Sequence, residues 1–235
     1  MIISINPFFY ICFLICIITG YIKYFTYIMI IIIIHELGHI LCSKLFKWKI
    51  DKIILLPFGG LILYNDLIDK KLYEELLVTI SGPLVQFIFT LFINNMDFKI
   101  ISYTLLLFNL LPILPLDGSK ILNILLNKFL NFKKSYYISI IVSILFIILI
   151  FRINLILILV ILCLIKSTIE SCYKYKYIYN KFLLEKYLYK NKYKKIKVID
   201  NIYNMYRNKI HFIKYNNKIV KEDDILSDIY KKLKE

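Results

Sequence analysis

Long runs of apolar residues limit what this chain can fold into more than any other feature. Hydrophobic residues make up 60% of its 235 positions, whereas an ordinary soluble domain is about 45–50% apolar. One soluble core cannot bury so many apolar side chains, so we expect the bilayer to be the solvent. The N-terminal stretch MIISINPFFYICFLICIITG is apolar but lacks a basic start and a small-residue cleavage site. It therefore predicts a retained transmembrane helix rather than a removed signal peptide.

Six apolar stretches predict transmembrane helices, although several fall short of the roughly 20 residues of an ideal span. They are Phe8–Tyr21, Tyr24–Leu41, Leu76–Ile93, Ile100–Leu116, Ile138–Phe151 and Ile153–Ile165. An even number of spans places both termini on one side of the membrane. The connections predicted on that side carry six lysines between residues 42 and 75 and four between 117 and 137, whereas each outer connection carries one basic residue. By the positive-inside rule, both termini are predicted to be cytoplasmic.

The remaining segments predict small β-elements and a basic tail. The segment WKIDKIILLPFGGLILY is too short to cross and predicts a β-hairpin at the inner face. The tail predicts a helix over about Ser171–Lys192, paired strands around the Asn-Asn turn of IHFIKYNNKIV, and a helix in EDDILSDIYKKL. We therefore predict an all-α polytopic membrane protein of about six transmembrane helices, with a membrane-associated β-hairpin and a small cytoplasmic α+β tail. The predicted domains are a transmembrane domain (1–169), a basic helical linker (170–195) and a short tail domain (196–235).

The net charge of +15 indicates which partners the tail meets. A basic segment beside a membrane is typical of contact with anionic cytoplasmic lipid. Nucleic-acid binding is the other interpretation of such a charge, but the tail contains no recognisable nucleic-acid module, so no nucleic-acid partner is expected. An AT-rich genome also explains part of the lysine content. The five cysteines form no C-x-x-C pair and predict neither a disulfide framework nor a cysteine zinc site.

Glycine and proline are rare in this chain and cluster. Six glycines and five prolines are present, and most of them lie in the segments HELGH, LLPFGG, SGP and NLLPILPLDG. In a chain that otherwise avoids these residues, such clustering indicates backbone geometry that no other residue supplies.

The segment HELGH carries the chemistry. His35 and His39 are four residues apart on a predicted helix and therefore project from one face, where two imidazoles can occupy two corners of a zinc tetrahedron. Glu36 lies beside the first ligand and is placed to act as general base toward an attacking water. Such a polar pair inside an apolar run is costly in hydrocarbon unless it lines a polar cavity. The alternative is a polar cluster that only bridges helices.

The remaining candidate ligands are few. Asp117, at the end of NLLPILPLDG, is almost the only other acid in the predicted spans and is a candidate third ligand. The alternative is that Asp117 caps the next helix. The third histidine, His211, lies in the alternating tail and is predicted to be a surface residue.

These segments give the chain a family likeness. HELGH in a membrane span, followed by Asn109-x-x-Pro112-x-x-Pro115-Leu116-Asp117-Gly118, resembles the site-2 protease family of intramembrane zinc metalloproteases. The resemblance implies one zinc ion per chain, with His35, His39 and Asp117 as its ligands and Glu36 as the catalytic acid and base. It also implies that Asn109, Pro112 and Pro115 shape the substrate cleft.

The likeness extends to the branch of that family that processes a sporulation sigma-factor precursor. It rests on LFKWKIDKIILLPFGG, EELLVTISGPLVQ, PILPLDGSK and KFLLEKYLYKNK. Proteins of that branch end in a nucleotide-sensing domain of the cystathionine-β-synthase type, whereas about 40 residues remain here. The tail is therefore predicted to be truncated, and nucleotide is not among the expected cofactors.

The resulting functional hypothesis is cleavage of a membrane-associated precursor near the cytoplasmic face, with the prosequence of a sporulation sigma factor as the substrate. A strand edge in Ile53–Tyr64 is expected to extend the substrate, with Phe58, Gly59 and Gly60 among the substrate-binding residues. The expected location is a bacterial cell membrane, specifically the mother-cell membrane around the forespore, with membrane-bound regulatory proteins as further partners. The alternatives are the same protease acting on another membrane-tethered regulator, and a zinc transporter or scaffold without hydrolysis.

Overall fold

The computed structural model describes residues 2–5, 7–56, 59–64, 70–153, 158–189, 195–207, 209–215 and 218–231. The chain divides into two compact units. The first unit comprises Met1–Leu67 and Tyr73–Leu110, and the second comprises Ile68–Leu72 and Leu111–Glu235.

The first unit combines helices with a small sheet. Its helices are α1 (Pro7–Ile18), α2 (Ile22–Leu45), α3 (Leu72–Leu91) and α4 (Met96–Asn109), and its strands are β1 (Ile2–Ile5), β2 (Ile50–Leu56) and β3 (Gly59–Tyr64). The predicted hairpin is confirmed, since β2 and β3 pair antiparallel with Leu56 opposite Gly59. Strand β1 pairs parallel with β2, which the sequence did not predict.

Helix α2 carries HELGH and ends in a tight C-terminal turn. The N–H of Lys47 donates to the carbonyl of Lys44, and the N–H of Trp48 donates to the carbonyl of Ser43, each at 2.9 Å. This is the Schellman pattern, in which a residue with positive φ follows the helix cap. Lys47 occupies that position with φ of 57°, where glycine is the usual residue.

The N-terminal ends of α2 and α4 also meet. The Nζ atom of Lys23, at the start of α2, lies 3.2 Å from the carboxylate of Asp97, in the first turn of α4. Both side chains are exposed, and both lie in connections predicted to be on the outer side.

Among the described residues, three helical segments are long and apolar enough to cross a membrane: Ile22–Leu45, Leu72–Leu91 and Phe132–Ile150. Helices α1 and α4 have 12 and 14 residues, which at about 1.5 Å per residue is shorter than a hydrocarbon core of about 30 Å. Helix α4 ends at Asn109, before Leu116, because Pro112 cannot continue it. The chain is thus a largely helical protein with apolar membrane-type helices, and the count of six spans stays a prediction.

The second unit contains the remaining elements. They are α5 (Asp117–Phe129), α6 (Phe132–Ile153), α7 (Ile158–Tyr189), β4 (Ile196–Ile199), a 3₁₀ turn (Ile202–Asn204), β5 (Ile210–Tyr215), β6 (Lys218–Lys221) and α8 (Glu222–Lys231). Strands β5 and β6 form the predicted antiparallel pair, and α8 is the predicted last helix. Helix α7 runs through residue 170 without a break, and the division into three domains stays a prediction.

The tail packs on helices of its own unit. Its core consists of Phe132, Tyr179, Phe182, Leu183, Ile199, Met205, Ile213 and Leu226. The rings of Phe132 and Phe182 stack with centroids 4.4 Å apart, and the N–H of Phe132 donates to the carbonyl of Met205 at 3.0 Å. The small sheet is therefore fixed to α7 and to the first residue of α6.

Candidate metal centre

Two glycines allow α2 and α3 to touch backbone to backbone. A Cβ atom built on Gly38 would lie 2.5 Å from the carbonyl oxygen of Ser81 and 2.9 Å from the Cα of Gly82, so no larger residue fits there. The Oγ of Ser81 donates to the carbonyl of Gly38 at 3.0 Å and ties the two helices together. This contact fixes one turn of α3 directly beside HELGH.

The two histidines of HELGH are buried and face each other. Their Nε2 atoms are 3.1 Å apart. The Nδ1 of His39 lies 2.7 Å from the carbonyl oxygen of Val78, and the Nδ1 of His35 lies 2.8 Å from Oε1 of Gln86. A carbonyl oxygen can only accept a hydrogen bond, so in each ring Nδ1 carries the proton and Nε2 carries the lone pair.

This donor set fits a metal ion. Two ligands of one tetrahedral zinc, each about 2.0–2.1 Å from the metal, are separated by roughly 3.3 Å, close to the 3.1 Å between the Nε2 atoms. Two lone pairs that face each other at this distance repel, and a cation between them relieves the repulsion. The supporting pattern, a ligand histidine that donates its other N–H to a carbonyl, is also typical of metal sites.

Glu36 lies beside this pair and is held by the hairpin. Its side chain is buried, and its Oε1 accepts the backbone N–H of Gly60 on β3 at 2.9 Å. A Cβ atom on Gly60 would overlap the Glu36 carboxyl group, so the strand approaches closely only because residue 60 is glycine. Gly59 begins β3 opposite Leu56, and Phe58 lies outside the described residues.

A small pocket opens beside His35 and Glu36. Its lining residues are Ile31, Ile32, His35, Glu36, Gln86, Leu105 and Asn109. Asn109, the last residue of α4, therefore lies on the same pocket as Glu36, and its place in a substrate cleft stays a prediction.

Asp117 belongs to the second unit, where it is the first residue of α5. It is buried, it offers a carboxylate oxygen as a metal ligand, and it accepts a hydrogen bond from Nζ of Lys120 at 2.9 Å. Asp117 does not occupy the cap position of α5, because that position is Leu116 and Asp117 is the first helical residue.

Helix α6 holds the proline-rich segment that precedes Asp117. The Oγ of Ser143 accepts the N–H of Leu114 at 3.1 Å and donates to the carbonyl of Pro112 at 3.2 Å. The Leu114–Pro115 bond is cis. These contacts fix the course of the chain between α4 and α5.

One sequence prediction outside this site is wrong. His211 was expected on the surface but is fully buried on the inner side of the tail sheet. Its Nδ1 lies 2.6 Å from the carboxylate of Glu222, and Lys186 donates to the same carboxylate at 2.9 Å. The strand alternation was correct, but it places His211 inward, where these two partners compensate its burial.

Sequence reasoning missed Gln86, which contacts His35. A signal was available, because a lone amide in the apolar run LVQFIF is costly in a membrane and marks a polar partner. Gly82 was noticed only as part of the glycine- and proline-containing segment SGP. In the structure, a Cβ atom on Gly82 would overlap the ring of His39.

Several known proteins are similar to this chain. The family model described as "Peptidase family M50" matches residues 23–97. The chain is 36% identical over 147 residues to stage IV sporulation protein FB of Bacillus subtilis (strain 168), covering 57% of this chain and 51% of that protein. It is 39% identical over 126 residues to a zinc metalloprotease of Methanocaldococcus jannaschii, covering 47% of this chain and 36% of that protein. The chain thus spans about half the length, or less, of these curated relatives.

A solved structure is also similar. The site-2 protease from Methanocaldococcus jannaschii superimposes with a TM-score of 0.57 at 29% sequence identity, over 73% of this chain and 91% of that chain. The family match at residues 23–97 includes HELGH, the β2–β3 hairpin and all of α3.

Proposed function

We propose that the chain is a member of peptidase family M50, whose model matches residues 23–97, and that it is a zinc-dependent intramembrane protease that cleaves a membrane-associated precursor. The observation that carries this proposal is the pair of buried imidazoles with facing Nε2 lone pairs, 3.1 Å apart and next to a buried carboxylate. Zinc supplies Lewis acidity in such a site, polarising a peptide carbonyl and lowering the pKa of a water to about 7.

Glu36 is proposed to move the proton. It accepts a proton from the attacking water as the water oxygen bonds to the peptide carbon. It then delivers that proton to the amine nitrogen as the C–N bond breaks. The hydrogen bond from Gly60 holds the carboxylate at one oxygen, which leaves the second oxygen to take up the proton.

Glu36→Gln separates this chemistry from metal binding. The amide cannot act as a base, so cleavage of a reconstituted membrane substrate should fall to background while zinc content, measured by elemental analysis, stays at the wild-type level. Cleavage by purified Glu36→Gln at a rate near that of wild type would refute the mechanism.

We propose Asp117 as the third ligand and one zinc ion per chain. The support is its burial, its carboxylate and its position in the Asn109-to-Gly118 motif. Asp117→Ala should lose both zinc and activity, whereas Asp97→Ala removes an acid that is exposed and should keep both. Full zinc occupancy in Asp117→Ala would remove Asp117 from the ligand set.

The outer edge of β3 is proposed as the substrate-binding strand. Strand β3 is at the edge of the β1-β2-β3 sheet, and the N–H of Gly60 points away from β2, toward Glu36. A peptide added to this edge would be extended and would pass the general base. Because a helix hides its peptide bonds in hydrogen bonds, an extended substrate is the form that can be cut. We propose five further residues as substrate contacts: Phe58, Gly59, Asn109, Pro112 and Pro115.

We propose the prosequence of a sporulation sigma factor as the substrate, because one relative is named for a stage of sporulation. In this proposal the protein lies in the mother-cell membrane around the forespore, with both termini in the cytoplasm and the basic tail near anionic lipid. Membrane-bound regulators are further proposed partners. Co-expression with candidate sigma-factor precursors should give a size shift that Glu36→Gln prevents. A shift with another membrane-tethered regulator, and none with any sigma factor, would replace the substrate but keep the protease.

A zinc transporter or scaffold is the second candidate. A transport path would need polar groups beyond His35, and such groups are present at Gln86, Thr90 and Ser102. They are amides and hydroxyls, however, whereas zinc in proteins is bound by thiolate, imidazole and carboxylate. These groups are therefore poor ligands for a zinc path. Zinc flux into proteoliposomes without cleavage of any membrane substrate would favour this candidate.

A further inference from the structure

A chain of hydrogen bonds runs from His35 into the interior of the first unit. Oε1 of Gln86 on α3 lies 2.8 Å from Nδ1 of His35. Nε2 of Gln86 lies 2.9 Å from the backbone carbonyl of Ser102 on α4 and 3.3 Å from its Oγ. The hydroxyls of Ser102 and Thr90 are 2.6 Å apart. Gln86, Thr90 and Ser102 are each at most 1% exposed, so the chain is shielded from water.

The donor-to-acceptor direction of these hydrogen bonds follows from the group farthest from His35, the backbone carbonyl of Ser102. The backbone carbonyl of Ser102 can only accept a hydrogen bond, so the group that faces it must be the amide NH₂ of Gln86. The amide oxygen then faces His35, and an oxygen acceptor requires a proton on Nδ1. Backbone geometry on α4 therefore decides, through one side chain, which ring nitrogen of His35 keeps its lone pair.

We propose that Gln86 is a positioning residue that holds His35 in the Nδ1–H tautomer and fixes the rotation of its ring, so that Nε2 points to the metal. The inference rests on the proposed function in one respect, the role of His35 as a ligand. Gln86 does not touch the metal or the substrate peptide in this role, and it acts only through His35.

The two ligand histidines differ in how they are supported. His39 donates to the carbonyl of Val78, a backbone group that no substitution removes. His35 depends on a side chain. Side-chain variants near the site should therefore disturb His35 selectively, and loss of such a support typically costs 10–100-fold in metal affinity.

Gln86→Met is the direct test, because methionine fills a similar volume but has no hydrogen-bonding amide. We expect the zinc affinity of the purified full-length protein, measured by competition with a chelator, to fall by about 10–100-fold. Thr90→Val is the matched control. It removes a buried hydroxyl from the same helix but leaves the Ser102 carbonyl to anchor Gln86, so its zinc affinity should stay close to that of wild type. Equal affinities of Gln86→Met and wild type would overturn the inference.

The tautomer itself can be observed. The chain has three histidines, so metal-free protein with ¹⁵N-labelled histidine gives few ring-nitrogen signals, assigned by single histidine variants. The nitrogen shifts distinguish protonated from unprotonated ring nitrogens. In wild type we expect the proton of His35 on Nδ1, and in Gln86→Met a shift of population toward the Nε2–H form. The Nε2–H form as the main species in wild type would contradict the inference.

Gln86→Glu covers the case in which the methionine variant does not fold. The neutral acid has the shape of the amide, accepts from His35 and donates to Ser102, so it should restore the Nδ1–H tautomer and most of the zinc affinity. A predominant Nε2–H form in Gln86→Glu would also overturn the inference. Absence of zinc binding by wild type would refute the proposed function, while the tautomer measurements on metal-free protein would still decide the role of Gln86.

Discussion

Two glycines on different elements press against the side chains of the site. Gly82 on α3 lies against the ring of His39, and Gly60 on β3 lies against the carboxyl group of Glu36. In both cases a Cβ atom would overlap the functional side chain. Because one glycine faces a proposed metal ligand and the other faces the proposed general base, the same substitution at the two positions should have different consequences.

We expect Gly82→Ala to displace His39 and to lower zinc affinity by at least tenfold. Gly60→Ala should move Glu36 while leaving both histidines in place, so zinc affinity should be retained and cleavage should fall about 100-fold, a typical cost of misplacing a catalytic group by 1 Å. Chelator competition and cleavage of a reconstituted substrate measure the two effects. If both variants lost zinc equally, the assignment of separate roles to the two glycines would be wrong.

For single residues, the sequence indicated which side chains form the candidate site better than it indicated the residues that hold those side chains in place. HELGH contains the spacing that places His35 and His39 on one helix face, so local periodicity is sufficient to predict it. The contacts of Gln86 and Gly60 with that helix join residues 51 and 24 positions apart. Such contacts depend on how helices and strands pack, which periodicity does not encode.

Among the elements, helix α2 ends in a turn that contains a lysine where glycine is the usual residue. Lys47 has φ of 57°, a conformation that costs a residue with a Cβ atom about 1–2 kcal/mol and costs glycine little. The Schellman turn that it completes directs the chain from α2 into β2.

Lys47→Gly should stabilise the protein by roughly 0.5–1 kcal/mol, since relief of the backbone cost exceeds the added entropy of glycine in the unfolded chain. Lys47→Ala is the control, because it removes the same charge but keeps the Cβ atom, and it should give no such gain. Unfolding of the purified protein in denaturant, followed by the fluorescence of Trp48, measures both. A gain of the same size in Lys47→Ala would assign the effect to charge instead of backbone conformation.

The sequence predicted the elements unevenly, for physical reasons. The hairpins β2–β3 and β5–β6 were predicted, because each has a local turn signal between strand-like runs. Strand β1 was not, since a short apolar run is the same in a strand and in a buried helix. It is defined by its parallel pairing with β2, about 50 residues away along the chain.

For the whole molecule, the second unit joins helix α7 to a small sheet and to α8 through a buried ionic cluster. Lys186 on α7 and His211 on β5 both contact the carboxylate of Glu222 on α8. The Nε2 of His211 accepts the N–H of Tyr206 at 3.0 Å, so the neutral ring satisfies its hydrogen bonds without a second proton. Glu222 and Lys186 are 11 and 25 residues away from His211 along the chain. Contacts this distant are not visible in the sequence, which explains why the sequence alone suggested a surface histidine.

Burial lowers the pKa of His211, and the charges of Lys186 and Lys209 lower it further, outweighing the opposite effect of Glu222. Burial alone raises the pKa of Glu222, but the hydrogen bond from His211 and the charge of Lys186 outweigh it, so that pKa is lowered. Burial also lowers the pKa of Lys186, against the attraction of Glu222 and Asp223. Glu222 already pairs with Lys186, so protonation of His211 would place a second positive charge on the same carboxylate.

The tail should therefore loosen from α7 in mild acid. A histidine whose pKa is lowered in the folded state binds its proton more readily when unfolded, so stability falls as pH drops below about 6.5, by at most about 1.4 kcal/mol per pH unit. Glu222 adds a loss of stability only below about pH 4.5, as pH falls through the range of its lowered pKa.

Amide hydrogen exchange in β5, corrected for intrinsic rates, should show a smaller opening free energy at pH 5.5 than at pH 7.5. His211→Asn keeps a donor toward Glu222 but cannot titrate, so it should lower stability at every pH and abolish the difference between these two. A difference that persists in His211→Asn would assign the pH dependence to other groups.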